Sequence, residues 1–222
     1  MEIQLQITDD GSHTLYVPEL NEHYHSTFGA IQESRHVFLS AGFDFICSKK
    51  KNINLLEVGF GTGLNALLTV LKKGDYIVNY TAIEAFPLDK RINTELNYPE
   101  KLTIPESGLI FHSLHDAAWE KTVKILPGFM LKKIRIKLQD FIPNPEEFDL
   151  VYFDAFAPDI QPELWTAEVF RKLFLAMVSG GVLVTYSAKG LVKQNLKAAG
   201  FSIERLTGPP GKRHMLRAEK YV

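Results

Sequence analysis

Apolar positions along this chain switch repeatedly between a period of two and a period near 3.6, which predicts alternating strands and helices. The first alternation, Ile3-Gln4-Leu5-Gln6-Ile7, is followed by the turn signal Asp10-Gly11 and by His13-Thr14-Leu15-Tyr16-Val17, and together they predict an N-terminal hairpin. Residues 21–30 are polar-aromatic and irregular, and residues 31–46 carry a helical pattern despite Gly42. After Lys49-Lys50-Lys51-Asn52, the run Asn54-Leu55-Leu56-Glu57-Val58 reads as a buried strand ending in Gly59-Phe60-Gly61-Thr62-Gly63. A helix over 64–72, stopped by Gly74, a strand over 78–86 and a helix opened by Pro87 and reaching about 97 come next.

Residues 98–130, with Pro99, Pro105, Gly108, Pro127 and Gly128, are less regular and read as an insertion carrying a short helix over 115–126. Regular alternation resumes with a strand over 134–138, ending at Gln139-Asp140-Phe141, and a buried strand over 148–153, ending at Asp154. A helix over 164–178 closed by Gly180-Gly181, a strand over 182–187, a helix over 191–199 closed by Gly200 and two final strands over 202–206 and 214–218 complete the pattern. The expected fold class is α/β: a mostly parallel sheet covered on both faces, with one antiparallel partner where two strands close the chain without a helix between them. Residues 1–50 are expected to form a hairpin-and-helix extension, and residues 51–222 the Rossmann-like domain that carries the insertion.

Composition changes this picture little. The chain has 222 residues and a single cysteine, Cys47, so it forms no internal disulfide, and it lacks both a signal-peptide pattern and an apolar run long enough to span a bilayer. A cytoplasmic protein without a membrane role is expected. Although the net charge is only −1, it is unevenly spread: up to Cys47 seven acids face Arg35 alone, while from Thr185 onward Lys189, Lys193, Lys197, Arg205, Lys212, Arg213, Arg217 and Lys220 face two acids. Such a basic end is either a phosphate-contacting surface or a solvated helix face.

The chemistry concentrates at strand ends. Glycines suit a turn where a ligand approaches the backbone, though closely spaced glycines also serve purely structural turns. Glu57-Val58-Gly59-Phe60-Gly61-Thr62-Gly63 lacks the spacing of a dinucleotide fingerprint and resembles the first motif of S-adenosylmethionine-dependent methyltransferases, with Asn65 opening the helix behind it. Glu84 lies about 20 residues beyond the last glycine, where an acid can accept from ribose hydroxyls. Asp140 with Phe141 is expected to flank an adenine, and Asp154 to face the reacting centre with Tyr24 or Tyr186 nearby; a turn cap before Pro158 is the alternative for Asp154. No metal site is expected, because His23, His25, His112 and His115 follow no ligand spacing.

Longer strings narrow the family. His23-Tyr24-His25-Ser26, Gly29 through Leu39, Glu57 through Leu67, Phe153-Asp154-Ala155-Phe156-Ala157-Pro158, Thr185 through Gly190, and Pro210 through Leu216 together resemble the methyltransferase domain of the MnmC family, and the sheet pattern resembles the seven-stranded methyltransferase variant of the Rossmann fold. The resemblance implies N-methylation, by S-adenosylmethionine, of the 5-aminomethyl group on the wobble (2-thio)uridine of tRNA, with Gly59, Gly61, Gly63, Glu84 and Asp140 on the cofactor and Asp154 acting on the amine. Phe156, Pro158, Lys189, Lys212 and Arg213 fall on the nucleobase and phosphate side. In a departure from the family's bifunctional members, which append an FAD-dependent oxidoreductase domain, a standalone methyltransferase is expected that receives its aminomethyl substrate from an upstream enzyme, and the small basic edge predicts contact with the anticodon stem-loop. An aminopropyltransferase of the spermidine synthase type and a catalytically silent nucleotide- or tRNA-binding module are the competing readings.

Overall fold

The computed structural model describes residues 2–221. The predicted hairpin is present as β1 (Gln4–Ile7) and β2 (His13–Val17), with a two-residue third strand, β3 (Glu22–His23), antiparallel to β2. One helical run over residues 30–47 follows, made of α1 (Ala30–Ser34), a π-helical stretch (Arg35–Phe43) and α2 (Asp44–Cys47). It lies hard against the main sheet: a Cβ on Gly42 would come within 2.9 Å of Val184 Cγ2 and 3.2 Å of Leu150 Cδ1. That approach explains why a glycine interrupts an otherwise helical pattern.

The chain then runs through β4 (Asn52–Val58), α3 (Leu64–Lys72), β5 (Ile77–Ile83), α4 (Lys90–Glu95), α5 (Tyr98–Leu102), α6 (Ser107–Asp116), β6 (Thr122–Leu126) and β7 (Phe129–Ile134). It continues with β8 (Phe148–Phe153), α7 (Ala167–Ala176), β9 (Met177–Thr185), α8 (Gly190–Ala199), β10 (Ser202–Thr207) and β11 (His214–Glu219). Eight strands form one sheet in the order β10-β11-β9-β8-β4-β5-β7-β6. From β7 to β9 the neighbours are parallel, and antiparallel strands close both edges.

Three local expectations are corrected. The helix expected over 115–126 is replaced by the end of α6 at Asp116 and by β6, because Thr122-Val123-Lys124-Ile125-Leu126 alternates and Gly128, at φ 75°, turns it directly into β7. β6 adds an eighth strand to the seven expected. The strand placed over 134–138 lies instead at Phe129–Ile134, and the residues after it leave the sheet. Finally, α7 stops at Ala176 and β9 begins at Met177, so Gly180-Gly181 lies inside a strand. There the β8 register shifts between Phe148 and Leu150, and a Cβ on Gly181 would press on Val178 O at 3.0 Å.

Successive strand residues feed the two faces of the sheet. Leu55, Tyr80, Leu150, Tyr152 and Val184 pack under the 30–47 run and α3, while Leu56, Val58, Val151, Phe153 and Leu183 pack under α7 and α8. Among the described residues no helix is long and apolar enough to cross a membrane.

Candidate active site

β4 is flanked by β5 on one side and β8 on the other, so their connections diverge to opposite sides of the first core strand. Parallel sheets leave a crevice at the carboxyl ends of such strands. Here it is a cavity of about 1140 Å³.

One wall is the glycine loop. Gly59, Gly61 and Gly63 have φ of 90°, 47° and 73°, and a Cβ on Gly59 would sit 2.6 Å from Asp154 O. The Gly61 N–H donates to Glu84 Oε2 at 3.0 Å and the Phe86 N–H to Glu84 Oε1 at 2.8 Å, tying the end of β5 to the loop. Thr62 is held from two sides: the His115 Nε2–H donates to its carbonyl at 3.1 Å, and His25 Nε2 lies 3.4 Å from its hydroxyl. Burial drives both histidines down to about 4, so both rings are neutral at pH 7. Behind them the buried Lys133 donates to Leu114 O at 2.8 Å and His115 O at 2.7 Å, capping α6, with its Nζ over the rings of Phe60 and Trp119. Burial lowers Lys133 to about 8.

The floor is acidic. Glu57 is fully buried beside Tyr80 and Asn65, and burial followed by the Asp154 charge raises it well above the usual carboxylate range. Asp154, at the end of β8, is half-buried and lines the cavity, its Oδ2 accepting from Asn65 Nδ2 at 2.8 Å. Burial and then the Glu33 carboxylate push it up to about 7, against the opposing effects of the Asn65 bond and the Lys212 cation.

The opposite wall comes from distant segments. Tyr24 sets its ring edge-on to Phe156, with centroids 5.0 Å apart, over Gly61. The Tyr186 hydroxyl donates to Ala155 O at 2.9 Å. Glu33, 6% exposed, accepts the Ser26 N–H at 2.8 Å and is ion-paired to Lys212. Lys189 pairs with Asp159 at the rim, and Arg213 is exposed.

Of the residues read from sequence, Tyr24, Gly59, Gly61, Asn65, Glu84, Asp154, Phe156, Pro158, Tyr186, Lys189, Lys212 and Arg213 all line this cavity. Gly63 and Glu57 lie behind its surface, one shaping the loop and the other beneath the floor. Asp140 and Phe141 do not line it: because β7 ends early, the chain turns at 137–141, leaving Asp140 exposed and Phe141 packed in the core. Ile136, Leu138 and Gln139 form that part of the wall instead. Sequence reading assigned no role to Glu33, His25, His115 or Lys133. For Glu33 a signal existed: an acid beside the apolar Ala30-Ile31 at the start of a helix whose next turns are apolar. Of the basic end, Arg217 pairs with Glu204, and Lys220 is buried against Met177 O, so only Lys189, Lys212 and Arg213 reach the site.

A family described as S-adenosyl-L-methionine-dependent methyltransferase matches residues 110–221, about half of the chain. The tRNA 5-methylaminomethyl-2-thiouridine biosynthesis bifunctional protein MnmC of Magnetococcus marinus is 29% identical over 92% of this chain and 32% of its own length. The protein of that name from Burkholderia multivorans is 29% identical over 97% of this chain and 34% of its own length. The chain thus spans about a third of the length of the curated relatives it matches. Among solved structures, MnmC2 of Aquifex aeolicus superposes with a TM-score of 0.78 at 24% identity, covering 100% of this chain and 71% of that one. Spermidine synthase of Thermotoga maritima superposes at 0.54 with 14% identity, covering 98% and 72%. The two structural likenesses, both below 25% identity, show the fold.

Proposed function

The chain belongs to the family of S-adenosyl-L-methionine-dependent methyltransferases, and from that premise we propose that it methylates the 5-aminomethyl group of the wobble (2-thio)uridine of tRNA, giving the 5-methylaminomethyl nucleoside. The cavity's residues fit the cofactor. The side-chain-free backbone of Gly59, Gly61 and Gly63 gives the close approach that its amino-acid end needs, above the buried Glu57 carboxyl. Glu84 accepts one backbone N–H at each oxygen, and each oxygen keeps a further lone pair for a ribose hydroxyl. Ile83, Ile136 and Leu138 offer an apolar slot for the adenine in place of the expected Asp140 and Phe141. When bound, S-adenosylmethionine supplies an electrophilic methyl group on a sulfonium, open to in-line displacement.

The observation that carries the reading is Asp154: a carboxylate raised to about 7, oriented by Asn65 and open to the same cavity as the glycine loop. Most of a primary alkyl amine is ammonium at neutral pH and has no lone pair to attack with. Asp154 accepts one ammonium proton, which frees that lone pair, and later returns the proton to solvent through the cavity mouth. Tyr24 and Phe156 provide aromatic surface for a splayed base, and Lys189 and Arg213 provide rim cations for tRNA phosphates. Lys212 joins this wall from the loop between β10 and β11. The substrate arises from an upstream enzyme that exposes the primary amine, in the cytoplasm.

The test is incubation with labelled S-adenosylmethionine and tRNA carrying unmethylated 5-aminomethyluridine, followed by nucleoside mass analysis. The expected result is one methyl group gained on that nucleoside. Absence of transfer, with turnover of decarboxylated S-adenosylmethionine and a polyamine, would replace this reading by aminopropyl transfer.

A further inference from the structure

We propose that Glu33, the Tyr186 ring and Asp154 form a subsite for the primary ammonium group of the substrate, and that the Lys212 ammonium is its internal occupant until substrate enters. The inference rests on the reading that the acceptor is a cationic amine, and it gives that reading a specific second carboxylate.

Glu33 sits near the start of the 30–47 helical run with its carboxylate in the cavity wall. The Ser26 N–H fixes Oε2 at 2.8 Å, which leaves Oε1 to a cation. Lys212 supplies that cation from the loop between β10 and β11, and its Nζ also lies 4.3 Å above the Tyr186 ring. A carboxylate on one side and an aromatic face on the other is the surrounding a primary ammonium prefers. The ring itself is fixed by its hydroxyl bond to Ala155 O, one residue from Asp154. Asn65, only 3% exposed, holds Asp154 through its amide nitrogen while its own Oδ1 accepts nothing among the described residues.

The two partners differ in access to water. The Lys212 side chain is 32% exposed, whereas that of Glu33 is 7% exposed. Lysine can therefore withdraw outward and be hydrated, but the carboxylate it leaves cannot, and it requires another cation. An incoming substrate ammonium satisfies it. One N–H proton then passes to Asp154, Glu33 stays ionised, and the freed lone pair faces the reacting centre. The charges acting on Asp154 are Glu33 and Lys212 at its side; its other titratable neighbours are Glu57, which burial raises well above the usual carboxylate range, and Tyr186, on which Glu22 acts.

Calorimetric binding of two phosphate-free nucleosides, 5-aminomethyluridine and 5-hydroxymethyluridine, separates this role from a phosphate contact. The wild type is expected to prefer the amine about tenfold, a charge-assisted contact. Glu33→Gln, which keeps the Ser26 bond, should lose that preference, whereas Lys212→Met, on a half-exposed loop, should bind the amine several-fold more tightly. In methyl transfer, the acid limb of the rate should move to lower pH in Glu33→Gln and to higher pH in Lys212→Met. A preference unchanged in Glu33→Gln, or weaker binding of the phosphate-free amine by Lys212→Met, would overturn the proposal. A wild type that prefers the amine but never methylates it would sink the proposed function and leave the subsite standing; a Glu33→Gln variant that binds and methylates it as well as the wild type would do the reverse.

Discussion

The glycine-loop wall of the cavity is held by backbone bonds, two neutral histidines and a buried lysine, all local to β4, β5, α6 and β7 apart from His25. The wall opposite is made of Tyr24, Glu33, Phe156, Tyr186 and Lys212, held by ring contacts and an ion pair with one solvated partner. The first wall tolerates little change, since a Cβ on Gly59 would meet the Asp154 carbonyl, and one on Gly61 or Gly63 would meet the rings of Tyr24, His115 or Phe60 at left-handed φ. The second is closed by an ion pair whose lysine is partly exposed, which suits a substrate that enters and leaves. Asp154 stands where the two meet, its carbonyl against Gly59 and its carboxylate in the field of Glu33.

The largest expected effect falls on that junction. Asp154→Asn should lower the methyl-transfer rate about 10²- to 10⁴-fold, the usual contribution of a general base, while cofactor affinity by calorimetry stays within about twofold. In the wild type the rate should climb as pH rises toward 7 and level above it, because only the ionised carboxylate accepts a proton. The Asn variant should lose that limb. A rate that is flat with pH in the wild type would detach Asp154 from the chemistry.

Next in size is Gly59→Ala. Its Cβ would meet Asp154 O at 2.6 Å at φ 90°, so a destabilisation of about 2 kcal/mol or more is expected, together with loss of cofactor binding. Thermal melting with and without S-adenosylmethionine reads both.

Acid stability probes the same wall more gently. His25 and His115 titrate near 4 folded and near 6.5 unfolded, so the unfolded chain binds more protons between those values. Each removes roughly 1.4 kcal/mol of stability per pH unit as pH falls through that window. Asp154 works the other way, because its raised folded pKa favours the protonated native state from about 7 down to its ordinary value of 3.8. His115→Gln should therefore flatten the loss of Tm from pH 6.5 to 4, and Asp154→Asn should steepen it.

The smallest effects belong to the rim. Lys189→Ala and Arg213→Ala should each raise the KM for tRNA only a few-fold, reduce the salt slope of binding by about one, and leave kcat alone. The exposed Lys189–Asp159 pair should add less than about 1 kcal/mol to stability. A large kcat effect from either would move the substrate wall's boundary outward.

The sequence by itself determined the parallel core, the glycine corner and the acids that end β5 and β8, because each follows from residues adjacent in the chain: alternation, a turn that only glycine relieves, and a polar residue closing an apolar run. It mistook β6 for part of a helix and ran the next strand too far, since short amphipathic segments satisfy both periods, and with that strand went the placement of Asp140 and Phe141. Tertiary structure alone decided that Glu33 meets Lys212 across 179 positions, that His25 and His115 clasp Thr62, and that Lys133 is spent capping α6. Those pairings depend on which strand ends face one another across the crevice. Burial raises Asp154 to about 7 for the same reason: the desolvating walls come from segments that local pattern cannot bring together.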